Sequence, residues 1–206
     1  MKNMPLKYCA RFLNETDCYY FACIDSKYQC GKENILVEFS YWLCEATLKR
    51  TYNFLSKFGK KWVHAAQHCI MHKLNHALHN NTISFTCSTL DKIVYNFYPD
   101  CLFQPDITIS IPSFCNVVCD DLEIFIAIFD EWDLKGLNIK RLLLEVSRLC
   151  LAQTENILDI DEATIPSLLW SICLDGHEVK LKRDLSKLMI KLERPLPIFG
   201  KSVEEE

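Results

Sequence analysis

The chain has 206 residues, 50% of them hydrophobic, which is one domain's worth of sequence with enough apolar material for a core. Five glycines and seven prolines exclude a collagen-like or low-complexity chain, and a formal charge of −4 gives no reason to expect a nucleic-acid partner. The longest clean apolar run, Ile124 to Phe129, is far too short to span a bilayer, so no membrane span is expected.

Residues 1 to 34 read as loop-like, with Cys9, Cys18, Cys23 and Cys30, and with Gly31 at a turn. From Ile35 to about Phe58, apolar residues at Ile35, Phe39, Trp42, Leu43, Ala46, Leu48, Phe54 and Leu55 recur with the spacing of a helix that buries one face. Lys57-Phe58-Gly59-Lys60, basic with a glycine, reads as that helix's end. A second helix is expected from about Lys61 to Leu78, broken at His79-Asn80-Asn81-Thr82. Ser88 suits the cap of a third helix through Tyr98, stopped by Pro99-Asp100. Residues 102 to 114, with Pro105 and Pro112 around the alternating Ile107-Thr108-Ile109-Ser110-Ile111, read as an extended connection, with a short strand over 107–111 as the alternative. Asp120 and Asp121 suit the cap of a helix to about Trp132, and Gly136 precedes a strongly amphipathic helix from Leu137 to Ala152. Leu168 to about Leu192 is helix-like, with a break at Asp175-Gly176. The expectation is an all-α domain of about five to seven helices over residues 1–194, opened by a Cys-rich loop region, with a polar tail over 195–206.

Twelve cysteines are far above cytosolic usage, and the number is even. Buried free thiols are the bland reading for those inside helical patterns. Four cysteines within 22 residues at the N-terminus argue against it. Zinc usually wants C-x2-C or C-x4-C with another such pair further on, and Cys18-x4-Cys23 and Cys115-x3-Cys119 are poor matches with no clear partner pair. Disulfides, and with them an extracellular setting, are the main reading. The sequons Asn14-Glu15-Thr16 and Asn80-Asn81-Thr82 offer Asn14 and Asn80 as glycosylation sites. Met1 to Cys9 holds no apolar h-region, so the chain as written shows no export signal; a mature form would read the same way.

Four stretches carry a family resemblance. They are Cys9-x8-Cys18-x4-Cys23 ending Phe21-Ala22-Cys23; the helical Cys44 to Cys69 stretch with Phe58-Gly59-Lys60-Lys61-Trp62-Val63; Cys87-Ser88-Thr89-Leu90 with its following Cys101; and the long gap from Cys115 to Arg148-Leu149-Cys150. In this ordered frame the chain resembles the stanniocalcins, secreted disulfide-bonded glycoprotein hormones, over roughly residues 9 to 173. The gaps Cys30–Cys44 and Cys101–Cys115 are longer than in that family, and Cys119 is an extra cysteine, as in a divergent relative. The resemblance implies the pairs Cys9–Cys23, Cys18–Cys44, Cys30–Cys87, Cys69–Cys101 and Cys115–Cys150. Counting alone permits roughly ten thousand connectivities for twelve cysteines. Cys119 and Cys173 are left over. They pair within one chain, or Cys173 links two subunits as a homodimer, as the family's late cysteine does.

The second helix carries His64, His68, His72, His76 and His79, four of them at i, i+4 steps that could chelate a transition metal. The bland reading is a polar helix face that uses histidine. His64-Ala65-Ala66-Gln67-His68 has the skeleton of a zincin motif, but Ala65 stands where the general base must be. No nucleophile elbow, P-loop or dinucleotide-binding motif occurs, so no enzyme and no cofactor are expected.

The resemblance therefore implies a secreted signalling glycoprotein that binds an extracellular receptor or target protein, with a family association to calcium and phosphate balance. No calcium-loop pattern is present. The alternatives are a secreted helical effector or binding module that shares only the cysteine frame, and an intracellular His/Cys metal-binding protein.

Overall fold

The computed structural model describes residues 6–13, 15–31, 34, 36–80, 85–105, 111–130 and 137–151, together with Leu169, Ile172 and Cys173. Every regular element among them is helical. In chain order they are α1 (Leu6–Cys9), α2 (Tyr19–Tyr28), α3 (Trp42–Glu45), α4 (Lys57–Asn80), α5 (Cys87–Phe103), α6 (Phe114–Asp120), α7 (Leu122–Asp130) and α8 (Leu137–Leu151). Wider π-helical turns at Leu36–Tyr41 and Ala46–Arg50 flank α3, and tighter 3-10 turns occur at Ala10–Phe12 and Tyr52–Phe54. No helix of the described residues is long and apolar enough to cross a membrane.

The N-terminal segment, expected to be loop-like, is helical at Leu6–Phe12 and Tyr19–Tyr28. Its short helices are held from outside rather than by their own propensity, since isolated helices this short are marginal in water. Cys9–Cys23 ties α1 to α2, and Cys18–Cys44 ties the start of α2 to α3. Tyr20, Phe21 and Ile24 are buried, and α2 packs beside the π-helical stretch Leu36–Tyr41. The turn after α2 is built on Asp25, whose Oδ1 accepts from the backbone N–H of Cys30 at 3.1 Å and of Gly31 at 3.2 Å. Gly31 sits at φ +87°, a conformation that favours glycine, so the expected turn there has its physical reason.

Around this end, α4 packs on α5 and α6, and α5 packs on α8. The core is one cluster, with Phe39, Ile70, Leu90, Tyr98, Phe125 and Val146 among its most buried members. Cys30–Cys87 joins the end of α2 to the start of α5. Cys69–Cys101 joins the middle of α4 to the last turn of α5. Cys115–Cys150 joins α6 to α8, and Cys119–Cys173 ties α6 to the late part of the chain. Among the described helices α7, Leu-Glu-Ile-Phe-Ile-Ala-Ile-Phe-Asp, alone has no cysteine. It is also the most apolar, so burial of Leu122, Phe125 and Ile128 holds it without a staple.

Several boundaries differ from expectation. Lys57-Phe58-Gly59-Lys60 opens α4 rather than closing the helix before it. The reason is tertiary. The Ser56 backbone N–H and hydroxyl both donate to the Asp121 carboxylate, at 2.7 and 2.8 Å, and the Ser56 hydroxyl oxygen accepts from the Gly59 N–H. A Cβ at residue 59 would fall on that carboxylate, so the glycine serves close approach, not a helix stop. Asp121 lies just before α7, and its carbonyl oxygen accepts from the Ile124 and Phe125 N–H groups. Its side chain, expected to cap that helix, reaches α4's start instead.

The cap of α5 is Thr86, whose Oγ1 accepts from the Thr89 N–H, and Ser88 lies inside the helix. The helix continues through Pro99 to Phe103. A proline removes one donor from the ladder. Buried Tyr98 and Leu102 and the bridged Cys101 hold the turn that propensity alone would end. A separate short helix, α6, lies in a segment where none was expected. The expected elements over 107–111 and 168–192 and the tail over 195–206 lie outside the described residues, apart from Ile111, Leu169, Ile172 and Cys173.

Candidate functional site

Helix α4 divides the molecule's chemistry between two faces. Trp62, Val63, Ala66, Ile70, Met71 and Leu74 are buried. His64, His68, His72, His76 and His79 all fall on the exposed side. Cys69 lies on the flank, bridged to Cys101, with Lys73 paired to Asp100 at 3.7 Å beside it. Residues at i, i+3 and i+4 share a helical face, so the histidine row follows from the sequence spacing alone.

The row brings His68 and His72 together, with ring centroids 4.0 Å apart. Among the described residues no group of three or more His, Cys, Asp or Glu side chains is placed to hold a metal ion. The proposed ligands His64, His68, His72 and His76 therefore stand as a solvent-facing row in which His68 and His72 form one close pair.

Partial burial, and then the neighbouring His68, push the His72 pKa below its ordinary value of 6.5. The folded chain thus resists the proton that the unfolded chain accepts. Stability contributed by neutral His72 is complete above the ordinary histidine value and declines as pH falls through it. On lowering the pH from about 7.5 to about 5.5, the thermal midpoint of a His72→Gln variant should fall less than that of the parent. An equal fall in both would contradict this assignment.

The N-terminal half of the same stripe borders an open cleft of about 880 Å³. Lys57, Lys60, Lys61, His64 and His68 line one side; Tyr52, Thr16, Pro105 and Ile111 come from other parts of the chain. Tyr52 sits between two of the basic groups: the Lys60 ammonium lies 5.4 Å from its ring centroid, and the His64 ring meets it edge-on at 5.3 Å. The Lys60 Nζ also donates to the Asn53 carbonyl oxygen at 3.3 Å. No carboxylate lines the cleft, and none pairs with Lys57, Lys60 or Lys61 among the described residues.

The first turn of α4 carries lysines and no acidic residue of its own; the negative charge that the helix dipole favours there comes from the Asp121 carboxylate, held on the Ser56 N–H and hydroxyl. The lysines themselves line an open cleft. The lysines escaped the sequence reading because basic residues with a glycine are also the signature of a helix end.

The structure places all twelve cysteines in six bridges and leaves none free. The pairs are those the resemblance implies, plus Cys119–Cys173. Cys173 is 1% exposed and bonded within its own chain, which leaves no thiol there for a bridge between subunits. Asn14 lies outside the described residues; Asn80 is the last residue of α4, and Asn81-Thr82 lie outside them. Compared with known proteins, the chain matches no family model, no curated protein and no solved structure.

Proposed function

We propose that this chain is an extracellular signalling or binding protein of stanniocalcin type, acting through rigid helical faces on a receptor or target protein. The single observation that carries the reading is the bridge set. Six disulfides that take up every cysteine fit an oxidising compartment and do not fit a reducing cytosol. The resemblance adds the glycoprotein character, with carbohydrate on Asn14 and Asn80, and the association with calcium and phosphate balance. The staples suit such a role. They fix short helices that would otherwise fray, so that a binding face is already ordered before a partner arrives.

The test is a thiol count on protein purified from its natural source without reductant. The expected result is no reactive thiol in the native or the denatured chain, and twelve after reduction. Several thiols reactive before reduction would overturn the extracellular reading.

A further inference from the structure

We propose that the cleft beside the first three turns of α4 binds a sulfated polysaccharide. Lys57, Lys60, Lys61, His64 and His68 make one continuous row on a single helix face. At the helical rise of about 1.5 Å per residue, the row runs about 16 Å from Lys57 to His68. It faces an open trough rather than a closed chamber, and no carboxylate lines it among the described residues. A single small anion would use only part of such a row. A chain with regularly repeated negative groups would use all of it. The cations are ammonium groups on flexible stems, which act as point charges; among the described residues the cleft has no arginine fork for one planar group. Tyr52 and the apolar Pro105 and Ile111 supply surface on which sugar rings can lie.

A nucleic acid is the other extended polyanion. The oxidised cysteines favour the sulfated chain, because polyanions of the extracellular space are sulfated sugars rather than nucleic acids. To that extent the inference rests on the extracellular reading above. The charge placement is local: the whole chain is acidic at −4, so binding must come from this face and not from overall charge.

The experiment uses the full disulfide-bonded chain and a heparin-derived dodecasaccharide, with affinity measured by titration calorimetry. Two charge-matched triple variants are compared, K57A/K60A/K61A in the cleft and K7A/K27A/K92A at exposed positions elsewhere. The cleft variant should weaken binding about tenfold or more, and the remote variant less than about twofold. The cleft variant should also melt close to the parent's temperature, because Lys57 and Lys61 are exposed and none of the three lysines is ion-paired among the described residues. A merely structural role for these lysines would lower the melting temperature instead. Binding of the parent should weaken with added salt and vanish when the dodecasaccharide is desulfated.

If the cleft variant does not fold, lysine acetylation of the parent with and without the dodecasaccharide replaces it. Lys57, Lys60 and Lys61 should then be protected and Lys7, Lys27 and Lys92 not. Any of the following would overturn the proposal: no binding by the parent, equal losses in the two triples, undiminished binding of the desulfated chain, uniform acetylation, or a single-stranded oligonucleotide that binds as tightly. The thiol count on the same preparation judges the extracellular reading separately, so failure of one does not pass for failure of the other.

Discussion

Replacing Cys30 and Cys87 together by alanine should lower stability by about 4 kcal/mol, read from denaturant titration with the other bridges intact. This bridge closes the longest sequence separation of the six, 57 residues, so it removes the most freedom from the unfolded chain. Cys30 and Cys87 are only half-buried, so their loss opens little cavity, and the effect reports chain restriction more cleanly than other pairs would. The Cys9–Cys23 bridge, with a separation of 14, should contribute about 3 kcal/mol by the same rule. There the comparison is less direct, because Cys9 is fully buried and its sulfur also packs in the core. A loss below about 1 kcal/mol for the Cys30–Cys87 pair would mean that the staples act on the native state alone. The consequence for function is specific. The bridge anchors the first residue of α5, and α5 supports α4.

What the sequence disclosed depended on whether the signal was local. The amphipathic stretch from Leu137 was legible, and the described residues Leu137–Leu151 are helical, because its apolar spacing is strong and no proline interrupts it. The histidine row was legible for the same reason: i, i+4 steps need only a helix. Lys57, Lys60 and Lys61 were not, because their meaning turns on which side of Ser56 the helix lies. That is decided by Asp121, distant in sequence. Tyr52, Pro105 and Ile111 belong to the cleft only through the fold. Pro99 misled because its local effect is real but is outweighed by the burial of Tyr98 and Leu102 and by the Cys69–Cys101 bridge. The N-terminal segment misled in the opposite direction. Its helices are too short for a periodic signal and exist where two bridges and three buried side chains hold them. The bridge pairing was never a matter of spacing. It came from the resemblance, and counting alone left it open.

Trp62→Ala should destabilise the chain by about 3–5 kcal/mol, the second large effect. Trp62 is 4% exposed on the buried face of α4, and its ring lies 5.1 Å from Phe114 of α6 and 5.6 Å from Phe125 of α7. Phe114 and Phe125 are themselves 5.4 Å apart, which closes a triangle of aromatic contacts among three helices. The void beside it is about 10 Å³, at the lower limit for one water, so removal of the indole opens a new cavity rather than enlarging an old one. The indole N–H also donates to the Leu102 carbonyl oxygen at 3.0 Å. That carbonyl lies in the last turn of α5, where helix carbonyls lack partners within the helix. Trp62→Phe keeps most of the packing while removing the donor, and should lose about 1–2 kcal/mol. Thermal or denaturant unfolding of the two variants separates packing from hydrogen bonding; equal losses would contradict the division. The pair also tests how the two faces of α4 are coupled. Trp62→Phe should lower stability and leave dodecasaccharide affinity at the cleft unchanged, because the exposed lysines need α4 to be seated and not its last margin of stability. A variant that stayed folded yet lost cleft affinity would show that the buried face tunes the position of the basic row, and the seating of Trp62 would then belong to the binding machinery itself.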